Sequence, residues 1–187
     1  MGLLLDIVGE EADRLNRMVG DLLDYSKPVR PTLQPLLLRK LLEEALESAR
    51  LQHGAGDSVQ SLVLIDPEVA TVRADARLMR QALLNLFLNA FQSMPRGGRL
   101  DVRVSRTESG GRFLAQVSIL DSGPGIPPDA RGKIFQPFFT TKPTGTGLGL
   151  AVVKRIIEGH GGTIAVGRGQ ATPGAEFLLF LPLEVGG

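Results

Sequence analysis

The chain has 187 residues, of which 43% are apolar and 22% charged, as is ordinary for a soluble globular domain with a short appendage. Its net charge of +1 gives no reason to expect a polyanionic partner such as nucleic acid. The absence of cysteine excludes disulfides and thiolate metal sites. No apolar run approaches the roughly 20 residues that span a bilayer. These features fit a cytoplasmic domain and leave open whether a longer parent protein is attached to a membrane.

The first predicted element is an amphipathic helix over about residues 3–26. Apolar residues recur there at helical spacing, including Leu4, Val8, Leu15, Val19 and Leu22. Pro28 and Pro31 end the helix and make a stiff linker. The chain therefore divides into residues 1–30 and a domain over residues 31–187, in which this helix has no obvious place.

The rest of the chain mixes predicted helices with antiparallel strands. Asp75 is placed to cap a helix that runs to about Ser93. The other predicted helices are 36–52 and 148–158, and the predicted strands are 59–65, 70–73, 100–106, 113–120, 163–166 and 176–183. Such a mixture predicts an α+β two-layer sandwich.

Two asparagines lie on the central predicted helix, in Gln81-Ala-Leu-Leu-Asn85-Leu-Phe-Leu-Asn89-Ala. Asn85 and Asn89 are four residues apart, so they share one face, with Gln81 one turn earlier. One interpretation is that both amides bond neighbouring backbone in the core. The other is that Asn85 offers its carbonyl oxygen to a hard cation such as Mg²⁺ and Asn89 points at phosphates.

A second segment, Asp121-Ser-Gly123-Pro-Gly125-Ile, directly follows a predicted strand. A carboxylate at a strand end, followed by glycines, allows a flat ring to lie against the backbone. A plain Asp-Ser-Gly turn would have the same residues.

A third segment combines Phe135, Phe138 and Phe139 with the hydroxyls and cation of residues 140–142. It predicts either a loop anchored at one end by aromatic rings or a small aromatic cluster. The fourth, Gly145-Thr-Gly147-Leu-Gly149-Leu, opens a helix, where backbone N–H groups and the helix dipole favour phosphate. It is neither a Walker A loop nor a dinucleotide fingerprint.

In this order, the four segments resemble the N, G1, F and G2 boxes of the histidine kinase catalytic domain, a Bergerat-fold ATPase like DNA gyrase B and MutL. The resemblance covers nearly the whole chain. Phe-Phe-Thr-Thr-Lys followed closely by Gly-Thr-Gly-Leu-Gly-Leu resembles the NtrB-like group and implies a short lid over ATP. The implied fold is a mixed sheet of about five strands covered on one face by helices.

The resemblance implies a role for each matching residue. Asp121 accepts a hydrogen bond from the adenine amino group, Asn85 ligates Mg²⁺, and Asn89 binds phosphate. Gln81 helps to polarise the acceptor imidazole. The remaining implied ATP-binding residues are Gly123, Gly125, Ile126, Phe135, Phe138, Thr141, Lys142, Gly145, Thr146, Gly147, Leu148 and Gly149, with Phe135 and Phe138 as lid anchors. Many relatives carry Thr just before the last strand, where this chain has Ala175.

Residues 11–28 resemble the second helix of the dimerisation and phosphoacceptor hairpin in the same family. No segment here matches the first helix, which carries His followed by Glu or Asp and then Pro. His53 is expected to be a solvent-exposed residue near a helix end, and His160 to be structural. The resemblance implies a homodimer, a kinase that donates the γ-phosphoryl of ATP to a histidine outside this sequence, and relay to a response regulator. The chain alone is not expected to phosphorylate itself.

Two other functions share parts of this pattern. A nucleotide-gated module like gyrase or MutL uses a catalytic Glu where Gln81 stands. An anti-sigma-type serine kinase lacks a hairpin helix like residues 3–26. The three-Phe segment and the first helix favour the histidine kinase.

Overall fold

The computed structural model describes residues 2–54, 58–142, 145–167 and 174–183. Its elements in chain order are α1 (Gly2–Ser26), β1 (Gln34–Leu37), α2 (Leu38–His53), β2 (Val59–Ile65), β3 (Thr71–Ala74), α3 (Ala76–Ser93), β4 (Gly98–Ser109), β5 (Arg112–Asp121), α4 (Gly149–Gly159), β6 (Thr163–Val166) and β7 (Glu176–Pro182). A 3₁₀ turn over Pro67–Val69 joins β2 to β3.

The sheet has five strands in the order β2–β4–β5–β7–β6. β2 and β4 are parallel, and the other neighbouring pairs are antiparallel. Helices α2, α3 and α4 pack side by side and bury their apolar faces against the sheet. Leu42, Phe87 and Ile157 from the helices and Val102 and Leu179 from the sheet have no exposed surface. The α+β two-layer sandwich is confirmed.

The predicted start of the second helix, at Leu36, is wrong. Gln34–Leu37 instead forms β1, which pairs antiparallel with Thr71–Ala74. Leu38 donates its backbone N–H to the Ala70 carbonyl, 3.0 Å away. A partner more than thirty residues away along the chain extends this segment, and a local apolar pattern cannot show that.

The C-terminal end of helix α1 is fixed to the sandwich. The sequence had not predicted any contact between this helix and the domain. The Arg155 guanidinium on α4 lies over the Tyr25 ring, 4.8 Å from its centroid, and donates to the Lys27 carbonyl at 3.3 Å. Nearer the N-terminal end of α1, Leu15 and Val19 are more than half exposed.

Among the described helices, none has the length and apolar character needed to cross a bilayer. The cytoplasmic location stays a prediction.

Candidate nucleotide-binding site

Asp121 ends β5 as a buried carboxylate, only 3% exposed. Its Oδ1 accepts the backbone N–H of Gly123 at 2.8 Å and that of Ala175 at 3.2 Å. Burial raises the pKa of Asp121, and the hydrogen bonds from Gly123 and Ala175 oppose that rise. The strand end therefore presents a desolvated acceptor whose orientation is set by two backbone donors.

Glycine is required on both sides of the turn that follows Asp121. A Cβ at Gly123 would come within 2.6 Å of Ser93 Oγ. Gly125 has a φ of +80°, and its Cβ would come within 2.9 Å of the Gly174 carbonyl oxygen. The bond from the Gly123 N–H is the simple Asx turn that the sequence allowed. The turn is also clamped between the end of α3 and the segment before β7.

Two polar residues of α3, Asn85 and Gln81, lie near α4. Asn85 donates its Nδ2 to the Gly149 carbonyl at 3.3 Å, which ties α3 to the first turn of α4. That bond uses the amide nitrogen and not the oxygen that a cation would need. Gln81 lines a small pocket with Val152 and Arg155 beside the linker that follows α1. It therefore lies next to the linker at Lys27, Pro28 and Val29.

Asn89 contacts a lysine from the loop before α4. Lys142 Nζ donates to Asn89 Oδ1 at 2.6 Å, to the Asn89 backbone carbonyl at 3.4 Å and to Gln92 Oε1 at 3.0 Å. Burial lowers the pKa of Lys142, and the negative charge of Asp121 opposes this change. The Lys142 cation thus lies on Asn89, the residue expected to bind phosphate.

The aromatic segment differs from expectation at Phe138. Its side chain is 66% exposed and its φ is +66°, so its ring anchors nothing within the described structure. Phe135 packs edge-on against Phe177, with ring centroids 6.3 Å apart, and Phe139 packs on the core. Phe135 and Phe139 are therefore the anchors. Phe138 acts through its backbone, donating its N–H to the Gly147 carbonyl at 3.0 Å.

The glycine-rich segment doubles back on the aromatic one. Gly147 has a φ of +71°, and a Cβ there would strike the backbone of Phe138. Leu148, 2% exposed, fixes the segment to the core. The Thr146 hydroxyl accepts the Leu148 N–H at 3.4 Å. The Thr146 hydroxyl and the Leu148 N–H thus meet just before α4, at the end of a helix whose dipole favours phosphate.

The other expected ATP-binding residues surround this loop. Ile126 packs on the core and Thr141 is exposed. Gly145 closes a turn by donating its N–H to the Lys142 carbonyl at 3.2 Å. The structure therefore brings together the Asp121 turn, the end of α3 and the loop before α4, while Gln81 lies beside the linker that follows α1.

Both histidines are built into the fold. The His160 Nε2 accepts the Asp75 N–H at 3.0 Å, and its Nδ1 lies 2.8 Å from the Ile156 carbonyl oxygen. His53 is half-buried, with its ring centroid 6.0 Å from that of Phe91. The expectation that His53 is solvent-exposed is wrong, because the end of α2 packs its ring against α3.

Sequence reasoning missed three residues at this site and the backbone role of a fourth, Ala175. Gln92 lies three residues after Asn89 on α3, a spacing that could have revealed it. Ser93 ends the same helix beside Gly123. Ala175 contributes only its backbone, which no side-chain pattern can signal. Asp21 reaches the glycine-rich segment from α1.

Comparisons with known proteins identify the family of the chain. The family model described as "Histidine kinase-, DNA gyrase B-, and HSP90-like ATPase" matches residues 74–185. Sensor histidine kinase ZraS of Escherichia coli strain K12 is 40% identical over 182 residues, covering 97% of this chain and 38% of ZraS. The chain thus spans less than two fifths of that relative.

Two solved structures are similar over most of the chain. Full-length ShkA in complex with AMPPNP has a TM-score of 0.76 and 33% identity, covering 92% of this chain and 36% of ShkA. Histidine kinase ThkA in complex with the response regulator protein TrrA has a TM-score of 0.70 and 29% identity, covering 96% of this chain and 50% of ThkA. The chain therefore belongs to the histidine kinase-, DNA gyrase B- and HSP90-like ATPase family, as an ATP-binding catalytic domain of the sensor histidine kinases.

Proposed function

We propose that this chain holds ATP together with Mg²⁺, and that the protein containing it transfers the γ-phosphoryl to a histidine for relay to a response regulator. The observation that carries this proposal is the buried Asp121 acceptor, set by two backbone donors beside the Asn89–Lys142 pair. The solved relatives support it, one named as an AMPPNP complex and one as a response regulator complex.

Adenine is assigned to the Asp121 turn. Oδ1 is engaged by backbone donors, so we assign the acceptor role for the adenine amino group to Oδ2. Gly123 leaves space beside that carboxylate where a side chain would collide with Ser93. A buried acceptor for the adenine amino group makes the site specific for adenine, because a base without that amino group leaves the carboxylate unpaired.

The triphosphate is assigned to the region between Asn89 and the start of α4. Within the described residues, no group of three or more His, Cys, Asp or Glu side chains could hold a metal. This fits Mg²⁺, which usually takes one or two protein ligands and completes its shell with phosphate and water. Asn85 can supply such a ligand through its Oδ1, since its hydrogen bond to the Gly149 carbonyl uses Nδ2. Bound Mg²⁺ would neutralise charge on the phosphates.

The chain's own contribution to phosphoryl transfer is placement. Such reactions depend mainly on holding donor and acceptor in line and stabilising charge. Lys142 already lies on Asn89, so its cation is available to the phosphates. Gln81 lies between α4 and the linker that follows α1. We assign it the role of polarising the imidazole of the acceptor histidine.

Replacing Asn85 by Ala should weaken Mg²⁺-dependent ATP binding about tenfold or more, while adenosine binding stays near normal. The change removes a metal ligand and leaves the base contacts in place. Calorimetry with ATP and Mg²⁺, ATP and EDTA, and adenosine would measure the split. Gln60→Ala, an exposed amide on β2, is the control. Equal losses for ATP and adenosine would make Asn85 a structural residue only.

We also propose that α1 mediates a homodimer and that residues 1–30 form a unit distinct from residues 31–187. Leu15, Val19, Leu22 and Leu23 are each about half or more exposed along α1, and such an apolar stripe favours association. Sedimentation velocity should show a dimer for the chain and a monomer after deletion of residues 1–27. A monomeric full chain would contradict this proposal.

A further inference from the structure

One residue of α1 contacts the glycine-rich segment directly. Thr146 Oγ1 donates a hydrogen bond to Asp21 Oδ2 at 2.5 Å, across 125 residues of sequence. The same hydroxyl oxygen accepts the Leu148 N–H at 3.4 Å. A chain of hydrogen bonds thus runs from the backbone at the start of α4, through Thr146, to a carboxylate on another element.

This contact places a negative charge on the segment that leads into the N-terminal end of α4. The N-terminal end of a helix carries unpaired N–H groups and a positive dipole, which stabilise carboxylates and phosphates alike. Leu148, at the N-cap, makes no side-chain capping bond of its own. The Asp21 carboxylate therefore lies beside the loop to which the proposed function assigns the ATP phosphates.

We propose that Asp21 is a positioning residue that links nucleotide phosphates to the placement of α1. The Asp21 carboxylate holds α1 against the loop through Thr146. Phosphates arriving at the same helix end repel that carboxylate and compete for the same electrostatic site, so α1 is released. This inference rests on the proposed function, because it requires phosphates at the start of α4.

A second contact of α1 with α4 lies one turn beyond Asp21 and is placed to act as a pivot. Tyr25 and Lys27 are held by Arg155, close to Pro28. Loss of the Asp21 bond leaves this second attachment intact, one turn further along. The apolar side chains Leu22 and Leu23 beside Asp21 are about half exposed, so these two side chains have little buried surface to lose when α1 moves.

The test is nucleotide affinity in Asp21→Asn, which keeps a hydrogen-bond acceptor for Thr146 but removes the charge. ATP affinity should rise by roughly threefold to tenfold, as loss of one partly buried charge repulsion gives. Adenosine affinity should not change. Glu108→Gln, which removes one charge from the exposed end of β4, should leave both affinities unchanged. A purely structural Asp21 would alter stability without separating ATP from adenosine.

The placement of α1 can be followed separately, because the chain has no cysteine. Spin labels at Asn16→Cys and Ser105→Cys, both exposed, would report the distance from α1 to the sheet. ATP should change that distance distribution, adenosine should not, and Asp21→Asn should shift it without nucleotide.

The outcomes separate the two proposals. If the unaltered chain binds no ATP, the proposed function fails and this inference fails with it. If the chain binds ATP but Asp21→Asn leaves both the ATP-to-adenosine ratio and the label distance unchanged, only the role of Asp21 is overturned.

Discussion

Replacing Asp121 by Asn should nearly abolish ATP and adenosine binding while leaving the fold at least as stable. Asn retains an oxygen for the N–H groups of Gly123 and Ala175, which now bond Oδ1. Its amide nitrogen would then face the adenine amino group, donor against donor. An unpaired buried donor costs about 1–3 kcal/mol, and with the lost bond we expect affinity to fall at least about a hundredfold. Calorimetry with adenosine isolates the base contact.

The expected stability of Asp121→Asn follows from the direction in which the pKa of Asp121 is shifted. Burial raises the pKa of Asp121 above its ordinary value. The folded state therefore holds the proton more tightly than the unfolded state. This stabilising contribution is present below the unfolded pKa and is lost as pH rises through the folded pKa. At neutral pH the ionised carboxylate is a cost, which Asp121→Asn removes.

Chemical denaturation of both proteins at acid and neutral pH would measure this effect. The advantage of Asp121→Asn should be larger at neutral pH than at acid pH. Asp129→Asn, a change at an exposed position in the segment after the Asp121 turn, is the control for both the binding and the denaturation measurements. Normal adenosine binding by Asp121→Asn would overturn the assignment of the adenine site.

The parts of the fold that local sequence determines were predicted closely. The helix capped by Asp75 spans Ala76–Ser93, with the Asp75 carboxylate accepting the Leu78 N–H at 3.0 Å. The strands at Val59–Ile65 and Thr163–Val166 have the predicted bounds. Capping residues and alternating apolar patterns act within a few residues, so a single sequence displays them.

The misjudged features depend on partners far away along the chain. β1 exists because β3 pairs with it, and His53 is half-buried because α3 packs across it. The three phenylalanines look alike in sequence, yet the left-handed backbone at Phe138 turns its ring to solvent while Phe139 faces the core. Only the positions of neighbouring elements distinguish those rings.

In the site as well, features set by local sequence were predicted and features set by distant partners were not. The motifs identified Asp121, Asn85 and Asn89 because their chemistry resides in side chains. They did not reveal that the Ala175 backbone orients Asp121, or that Lys142 rests on Asn89. Such contacts join segments about fifty residues apart, so they appear only once the sheet and α3 are assembled.

The final expected result concerns phosphoryl transfer. A polypeptide of this sequence, given γ-labelled ATP and Mg²⁺, should acquire no acid-labile phosphate. Its two histidines are His53 and His160, and both rings are committed to packing or hydrogen bonds. ATP binding should persist, since the residues assigned to ATP do not include them.

Supplying a separate hairpin polypeptide with an acceptor histidine, from the same parent protein, should restore labelling on that polypeptide. Restoration should be partial, because a covalent tether raises the effective concentration to about the millimolar range and separated pieces lose that advantage. Asn85→Ala should suppress the labelling, whereas His53→Ala should leave it unchanged. If the chain alone became labelled and His53→Ala removed the label, the acceptor would lie within this sequence and the assignment of His53 to packing would fail.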